Sequence, residues 1–147
     1  RYPGHLQPAP VAYRCLAPTF TGYGHLVRRE PFVRLGGYRE LLRAYGEEKE
    51  FCKRLWDAGY KVVFLPDVAV RHTHSPSGRS ELTRMRQGCR NGLLDAVYNE
   101  PFPLVLAGVP ARLYGYWRHR RVVCRHYGIG DPGGLRWQLA ELARNLP

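Results

Sequence analysis

Glu47, Glu48 and Glu50 stand within four positions of one another, and His72 follows them in the same unbroken stretch. These are the residues with which the chain could do chemistry. A carboxylate within hydrogen-bond reach of a hydroxyl can take its proton. A neutral imidazole can ligate a divalent ion, usually in company with carboxylates and water. His74, two residues beyond His72, is its rival. Two plainer readings compete. Acids at a helix start complement its dipole, and a lone histidine at a strand end is more often an ordinary surface or core residue. Glu50 and Arg54 are four apart, the spacing of a structural ion pair on one helix face.

The elements that must position these groups follow from residues 46–72, G-E-E-K-E-F-C-K-R-L-W-D-A-G-Y-K-V-V-F-L-P-D-V-A-V-R-H. The three glutamates open a helix, where unpaired backbone N–H groups favour negative charge. Phe51, Leu55 and Ala58 recur at three- and four-residue spacing and give it one apolar face. Gly59 suits the left-handed position just past its end. Residues 60–65 are a run of β-formers, broken by Pro66-Asp67. Val68, Val70 and His72 then share one face of a second short extended segment. An acid at the helix start and a histidine at the strand end can meet at one edge of a sheet.

Upstream, the prolines at 3, 8, 10 and 18 predict loop with at most a short edge strand over 11–15. Residues 19–28 alternate aromatic and small residues, the pattern of a strand interrupted at Gly22 and Gly24; the same glycines also read as turn residues. Residues 30–35 read as a short helix ended by Gly36-Gly37, and 38–45 as a second helical piece. Downstream, 73–78 is loop by composition. Residues 81–98 are a helix, with Leu82, Met85, Cys89, Leu93 and Val97 at helical spacing. Residues 102–109 are a short apolar run. A basic helix is predicted over 110–127, with Pro110 in its first turn and Gly128 as the stop. Asp131-Pro132 starts a last helix.

The chain has 147 residues, 44% of them hydrophobic and 24% charged, and carries a formal net charge of +11. That is one globular domain by length, with enough apolar residues for a core. The positive charge is spread: residues 1–75 hold 12 Lys/Arg against 7 Asp/Glu, and residues 76–147 hold 11 against 5. Such a balance attracts anions such as nucleotide diphosphates, lipid phosphates, acidic glycans or nucleic acid. Cysteines 15, 52, 89 and 124 show no metal-ligand spacing and read as reduced, mostly buried thiols of a cytosolic protein. No signal peptide and no membrane-spanning apolar run is visible. The chain begins at Arg1 without a methionine, as a piece of a longer protein would.

An ordered series of short motifs runs over more than fifty residues. It comprises Phe20-x-Gly22, Arg28-Arg29-Glu30-x-Phe32, Gly36-Gly37-Tyr38, Glu47-Glu48, Glu50-Phe51, Arg54-Leu55, Gly59-Tyr60, Pro66-Asp67 and His72. No single piece is specific. Together they resemble the C-terminal part of the catalytic domain of family 2 glycosyltransferases, which have the GT-A fold. The resemblance covers 19–75 and fades toward Arg90-Asn91. It implies an α/β architecture: a C-terminal, acceptor-side GT-A segment over 1–75, followed by a basic, mainly helical extension over 76–147. It implies sugar transfer from a nucleotide-sugar donor to a hydroxyl of a glycan or lipid-linked acceptor, such as a cell-envelope polysaccharide. By the family's motif Glu48 is the general base, at a position usually held by aspartate, which is one methylene shorter. Glu47 orients the site or binds acceptor, and His72 joins a Mn²⁺ or Mg²⁺ and diphosphate site. The glycines near residue 22 would lie beside the acceptor.

One family element is missing. The aspartates are 57, 67, 95 and 131, so no Asp-x-Asp is present, and no glycine-rich phosphate loop either. The expectation is therefore an acceptor-side half without a donor site, inactive in isolation. In the basic helix, Arg112, Arg118, Arg120, Arg121 and Arg125 alternate with Tyr114, Tyr116, Trp117 and Tyr127. This composition suits a solvated arginine face or peripheral contact of 110–127 with the inner face of a membrane. Nucleic acid is the least favoured partner. The competing function class is a non-catalytic basic module binding nucleic acid or an anionic membrane surface.

Overall fold

A computed structural model describes residues 12–72, 80–130 and 134–146. It is mostly helical with a two-stranded sheet, an arrangement compatible with part of an α/β fold. Strand β1 (Cys15–Leu16) pairs antiparallel with β2 (Val63–Phe64), Cys15 opposite Phe64 and Leu16 opposite Val63. One further bond, from the Ala17 amide to the Val62 carbonyl at 2.9 Å, extends the ladder. The sequence predicts longer strands at 60–65 and 68–72, and reads 19–28 either as an interrupted strand or as turn. Among the described residues only Val63–Phe64 of 60–65 pairs, and 68–72 and 19–28 form no strand; no third strand continues the ladder, and a two-stranded ribbon is marginal by itself. Residues 19–28 are turn and loop, closed by the Gly24 amide on the Thr21 carbonyl at 3.2 Å.

Helix α1 (Arg29–Arg34) ends at Gly36-Gly37, both with positive φ, as the glycine pair predicts. A 3₁₀ turn follows at Glu40–Leu42, shorter than the helical piece expected over 38–45. Helix α2 (Glu47–Asp57) is the predicted acidic-start helix. It buries Phe51, Cys52 and Leu55, whereas Ala58 is exposed, because the helix has already ended there and Gly59 turns the chain at φ +81°. Phe51 is fully buried in an aromatic cluster, with the Phe32 and Tyr38 rings both 5.3 Å away and tilted edge-on. Such edge contacts add to the area term.

One ion-pair hub fastens α2 to α1. The Glu50 side chain is 1% exposed. It accepts from Arg54 Nε at 2.8 Å and Nη2 at 2.7 Å, and from Arg39 Nε at 2.6 Å. Arg54 also donates to the Leu35 and Gly37 carbonyls, the free ends of α1 and its turn. The predicted Glu50–Arg54 pair is thus present, and Arg39 completes it.

Helix α3 (Glu81–Asn99) packs against α2, α4 and α5. Ser80 caps it, accepting from the Thr83 amide at 3.3 Å. Lys53 of α2 pairs with Asp95 at 2.5 Å. Asn91, 2% exposed, donates through its side-chain NH2 to the carbonyls of Leu42, Ala44 and Tyr45 at 2.6, 2.7 and 3.1 Å, one of its two N–H groups being shared. These carbonyls belong to the turn that leads into α2.

Helix α4 (Phe102–Tyr127) corrects the expectation of an apolar run followed by a separate helix from Pro110. It is continuous over 26 residues with Pro110 in its interior. Pro101 and Pro103 sit at its start, where a missing N–H costs nothing. Pro110 removes one interior donor, and Tyr116 and Val123 anchor the rest against Met85 of α3. Gly128 ends it at φ +62°. Helix α5 (Gly134–Arg144) closes over α3 through Gln138, which donates to the Arg86 carbonyl at 3.1 Å, and through an Arg90–Glu141 pair at 3.1 Å. The predicted cap at Asp131-Pro132 lies outside the described residues. All four cysteines are free, but only Cys52 is buried, and the others are half-buried. Burial still pushes the Cys89 thiol up to about 11. Among the described residues no helix is long and apolar enough to cross a membrane.

Candidate active site

The turn before α2 aims its acids. Arg43, Tyr45 and Gly46 have φ of +54°, +71° and +116°. Two of these residues carry a Cβ in a region that costs of order 1–3 kcal/mol each. The three carbonyl bonds from Asn91 hold the turn in that conformation. Glu47 and Glu48 follow this turn directly, in the first turn of α2.

The two glutamates differ in surroundings. One carboxyl oxygen of Glu47, Oε2, is buried and has no hydrogen-bond partner. Burial pushes the Glu47 carboxyl above the ordinary glutamate range. Its own amide and that of Gly46 oppose the shift, while the charge of Glu48 and a hydrogen bond with it add to it. Glu47 thus holds a proton longer than an exposed glutamate, and in that state it can donate to its neighbour.

Glu48 reaches over the 20–25 turn. Its Oε1 lies so close above Gly22 that a Cβ there would overlap it. The absence of a side chain at 22 is what admits the carboxylate. Tyr38 stands on the other side. Its phenol is raised by burial first, then by the charges of Glu48, Cys52 and Glu47. The Tyr38 hydroxyl is 2.8 Å from His25 Nε2, and His25 Nδ1 is 2.9 Å from the Thr21 carbonyl oxygen. A carbonyl only accepts, so Nδ1 carries the hydrogen. A neutral ring then accepts at Nε2, and Tyr38 donates. His25 is stacked on Phe20, with centroids 4.2 Å apart and planes 14° from parallel. Sequence reasoning passed over His25, and gave Tyr38 no role beyond its motif. The one available signal was a histidine four residues after Thr21 in a glycine-rich turn.

His72 reaches the same turn from elsewhere. Its ring lies flat on Tyr23, 4.3 Å between centroids and 2° between planes. Val70 sits 3.7 Å from where a Gly24 Cβ would be. The segment over 68–72 is not a strand, and Val68 and Val70 are exposed. Glu48 and His72 therefore converge on neighbouring residues, Gly22 and Tyr23, of one turn. His74 lies outside the described residues.

The described residues do not fit a metal ion by themselves. No group of three or more His, Cys, Asp and Glu among them is placed to hold one, and His72 offers a single imidazole stacked on a tyrosine. A cavity of about 600 Å³ runs along α2 between Pro18, Lys49, Lys53, Trp56 and Glu100. Glu47, Glu48 and His72 do not line it, so the cavity and the acids are separate features.

No curated protein and no solved structure matches the chain. The family described as "Glycosyl transferase family group 2" matches residues 7–131. That span takes in the 20–25 turn, both acids, His72 and all of α3 and α4. A match over most of the chain makes it a member of the glycosyl transferase family 2 group.

Proposed function

We propose that the chain supplies the acceptor side of a GT-A glycosyl transfer with inversion, and that Glu48 is the general base. Residues 1–75 form that acceptor-side part, and 76–147 are the helical extension that braces it. The acceptor hydroxyl oxygen bonds to the anomeric carbon of a nucleotide-sugar. The bond from that carbon to the diphosphate oxygen breaks, and the diphosphate leaves with the electron pair. The hydroxyl proton goes to Glu48. Glu47, holding its proton longer, hydrogen-bonds the Glu48 carboxylate and fixes its direction. Tyr38 and His25 form the floor of the acceptor position. A metal at the diphosphate would need ligands from outside the described residues in addition to His72.

The observation that carries this reading is the seat of Glu48 over a side-chain-free residue in an exposed turn, with one buried carboxyl oxygen of the half-buried Glu47 beside it. There the carboxylate can meet a hydroxyl of a large acceptor within hydrogen-bond reach. The test is Glu48→Gln, which keeps shape but cannot take the proton. Turnover with a nucleotide-sugar donor and acceptor should fall by roughly 10²-fold or more, with donor binding little changed. Glu50→Gln should act on stability. Loss of turnover in Glu50→Gln with Glu48→Gln spared would overturn the assignment.

A further inference from the structure

The outer face of α4 changes character in order along its length. Helical spacing puts Ala107, Ala111, Tyr114, Arg118, Arg121 and Arg125 on the side opposite the buried Tyr116 and Val123. All six are exposed. Leu104 borders this face at its N-terminal end, and Phe102, Leu104 and Leu106 are 75%, 59% and 64% exposed. Trp117 borders it in the middle, where its ring stacks on Tyr114 with centroids 5.9 Å apart. The Arg121 guanidinium lies 4.7 Å over the Trp117 ring. The order from N- to C-terminus is thus apolar, then aromatic, then cationic. There is no acidic residue between Glu100 and Asp131 to neutralise the cationic end.

We propose that this face docks obliquely on an anionic lipid surface, with the N-terminal end of α4 deepest. The order matches the layers of a bilayer surface. Leucines enter the acyl region, Tyr and Trp settle at headgroup level, and arginines meet lipid phosphates. At 1.5 Å per residue, Leu104 to Arg125 spans about 30 Å, enough to cross those layers at a slant. Other occupants fit less well. A nucleic acid would use the arginines and aromatics but leave the apolar end against a charged backbone. A second copy packed antiparallel would bury three arginines against leucines with no acid to pair them. The proposal stands on α4 alone and holds whether or not Glu48 is the base.

The experiment is cosedimentation of the chain with vesicles of phosphatidylcholine, with and without phosphatidylglycerol. Binding should need the anionic lipid. Arg118→Gln/Arg121→Gln/Arg125→Gln should lower partitioning on the order of 10²-fold, each arginine near an anionic surface being worth about fivefold. Leu104→Asp/Leu106→Asp should weaken binding as well, and these positions are exposed, so helical circular dichroism should be unchanged. Brominated lipid should quench tryptophan emission, and Trp117→Phe should remove that quenching. The proposal is overturned by equal binding to neutral vesicles or by unchanged binding in both variants. It is also overturned if anionic vesicles fail to bind, whether the chain then takes up single-stranded RNA, dimerises through Leu104 or does neither.

Discussion

Removing Arg54 is the sharpest test of what holds the acid-bearing helix in place. Arg54→Ala deletes two charge-assisted bonds to a Glu50 side chain that is 1% exposed, and the donors to the Leu35 and Gly37 carbonyls. Breaking a buried ion pair from one side costs roughly 3–5 kcal/mol, because the remaining charge is stranded. Arg39 still donates to Glu50 at 2.6 Å, so one partner survives. The expectation is the lower end of that range, about 3 kcal/mol. Against the 5–15 kcal/mol typical of a whole domain, roughly, this is a severe loss. Glu50→Gln keeps the shape but removes the charge, and its amide nitrogen cannot accept the arginine bond that falls to it. It should cost less, about 1–2 kcal/mol, the difference between charged and neutral hydrogen bonds. Urea denaturation followed by far-ultraviolet circular dichroism reads both. The double variant should lose less than the sum, since the two side chains share one interaction. An Arg54→Ala cost below about 1 kcal/mol, or strict additivity, would refute the claim that the pair is a buried structural hub.

Three further outcomes follow from the site. Gly22→Ala places a Cβ on the Glu48 carboxylate, the mobile end of a flexible side chain, at a position whose φ is not left-handed. Stability should stay within about 0.5 kcal/mol while turnover drops roughly 10²-fold, because the proposed base is displaced; a full loss of folding would contradict it. The Glu47 carboxyl is raised in the folded chain above its ordinary value of 4.5. Its contribution to stability is therefore present below 4.5 and lost as pH rises through the raised value. The midpoint of thermal unfolding of Glu47→Gln, relative to the parent, should climb across that window, and a flat difference would count against a buried Glu47. Calorimetric titration of Mn²⁺ with a nucleoside diphosphate into the 147-residue chain should show no tight site, and micromolar binding lost in His72→Ala would contradict this.

The parts legible in the sequence were those fixed by local rules. The acidic start of α2, its Phe51–Leu55 face, the Gly59 and Gly128 stops, the glycine pair after α1 and the Glu50–Arg54 spacing all hold in the structure. Each depends on residues a turn or less apart. The strands were less legible, because a run of β-formers becomes a strand only where a partner supplies the ladder, and here one two-residue neighbour does. Pro110 was read as a helix start, since a proline in an interior is locally unfavourable; α3 packing against α4 outweighs that cost. His25 and Gly22 were illegible for a different reason. Their importance comes from Tyr38 and Glu48, 13 and 26 residues away, folding back onto the turn, and no spacing rule reports such a meeting.

Asn91 gives the chain a clock. The contacts that align α2 with α1 and its turn close loops of 11 to 19 residues, and loops of that size form early. The bonds that shape the turn into α2 join Asn91 to carbonyls 46 to 49 residues away, so they wait for α3 to arrive. A chain ending at residue 75 would hold every letter of the acidic motif but would lack Asn91, the side chain that bonds the Leu42, Ala44 and Tyr45 carbonyls. Glu47 and Glu48 acquire their final direction when a helix from outside that motif docks. The direction of the two acids thus depends on a residue more than forty positions beyond them.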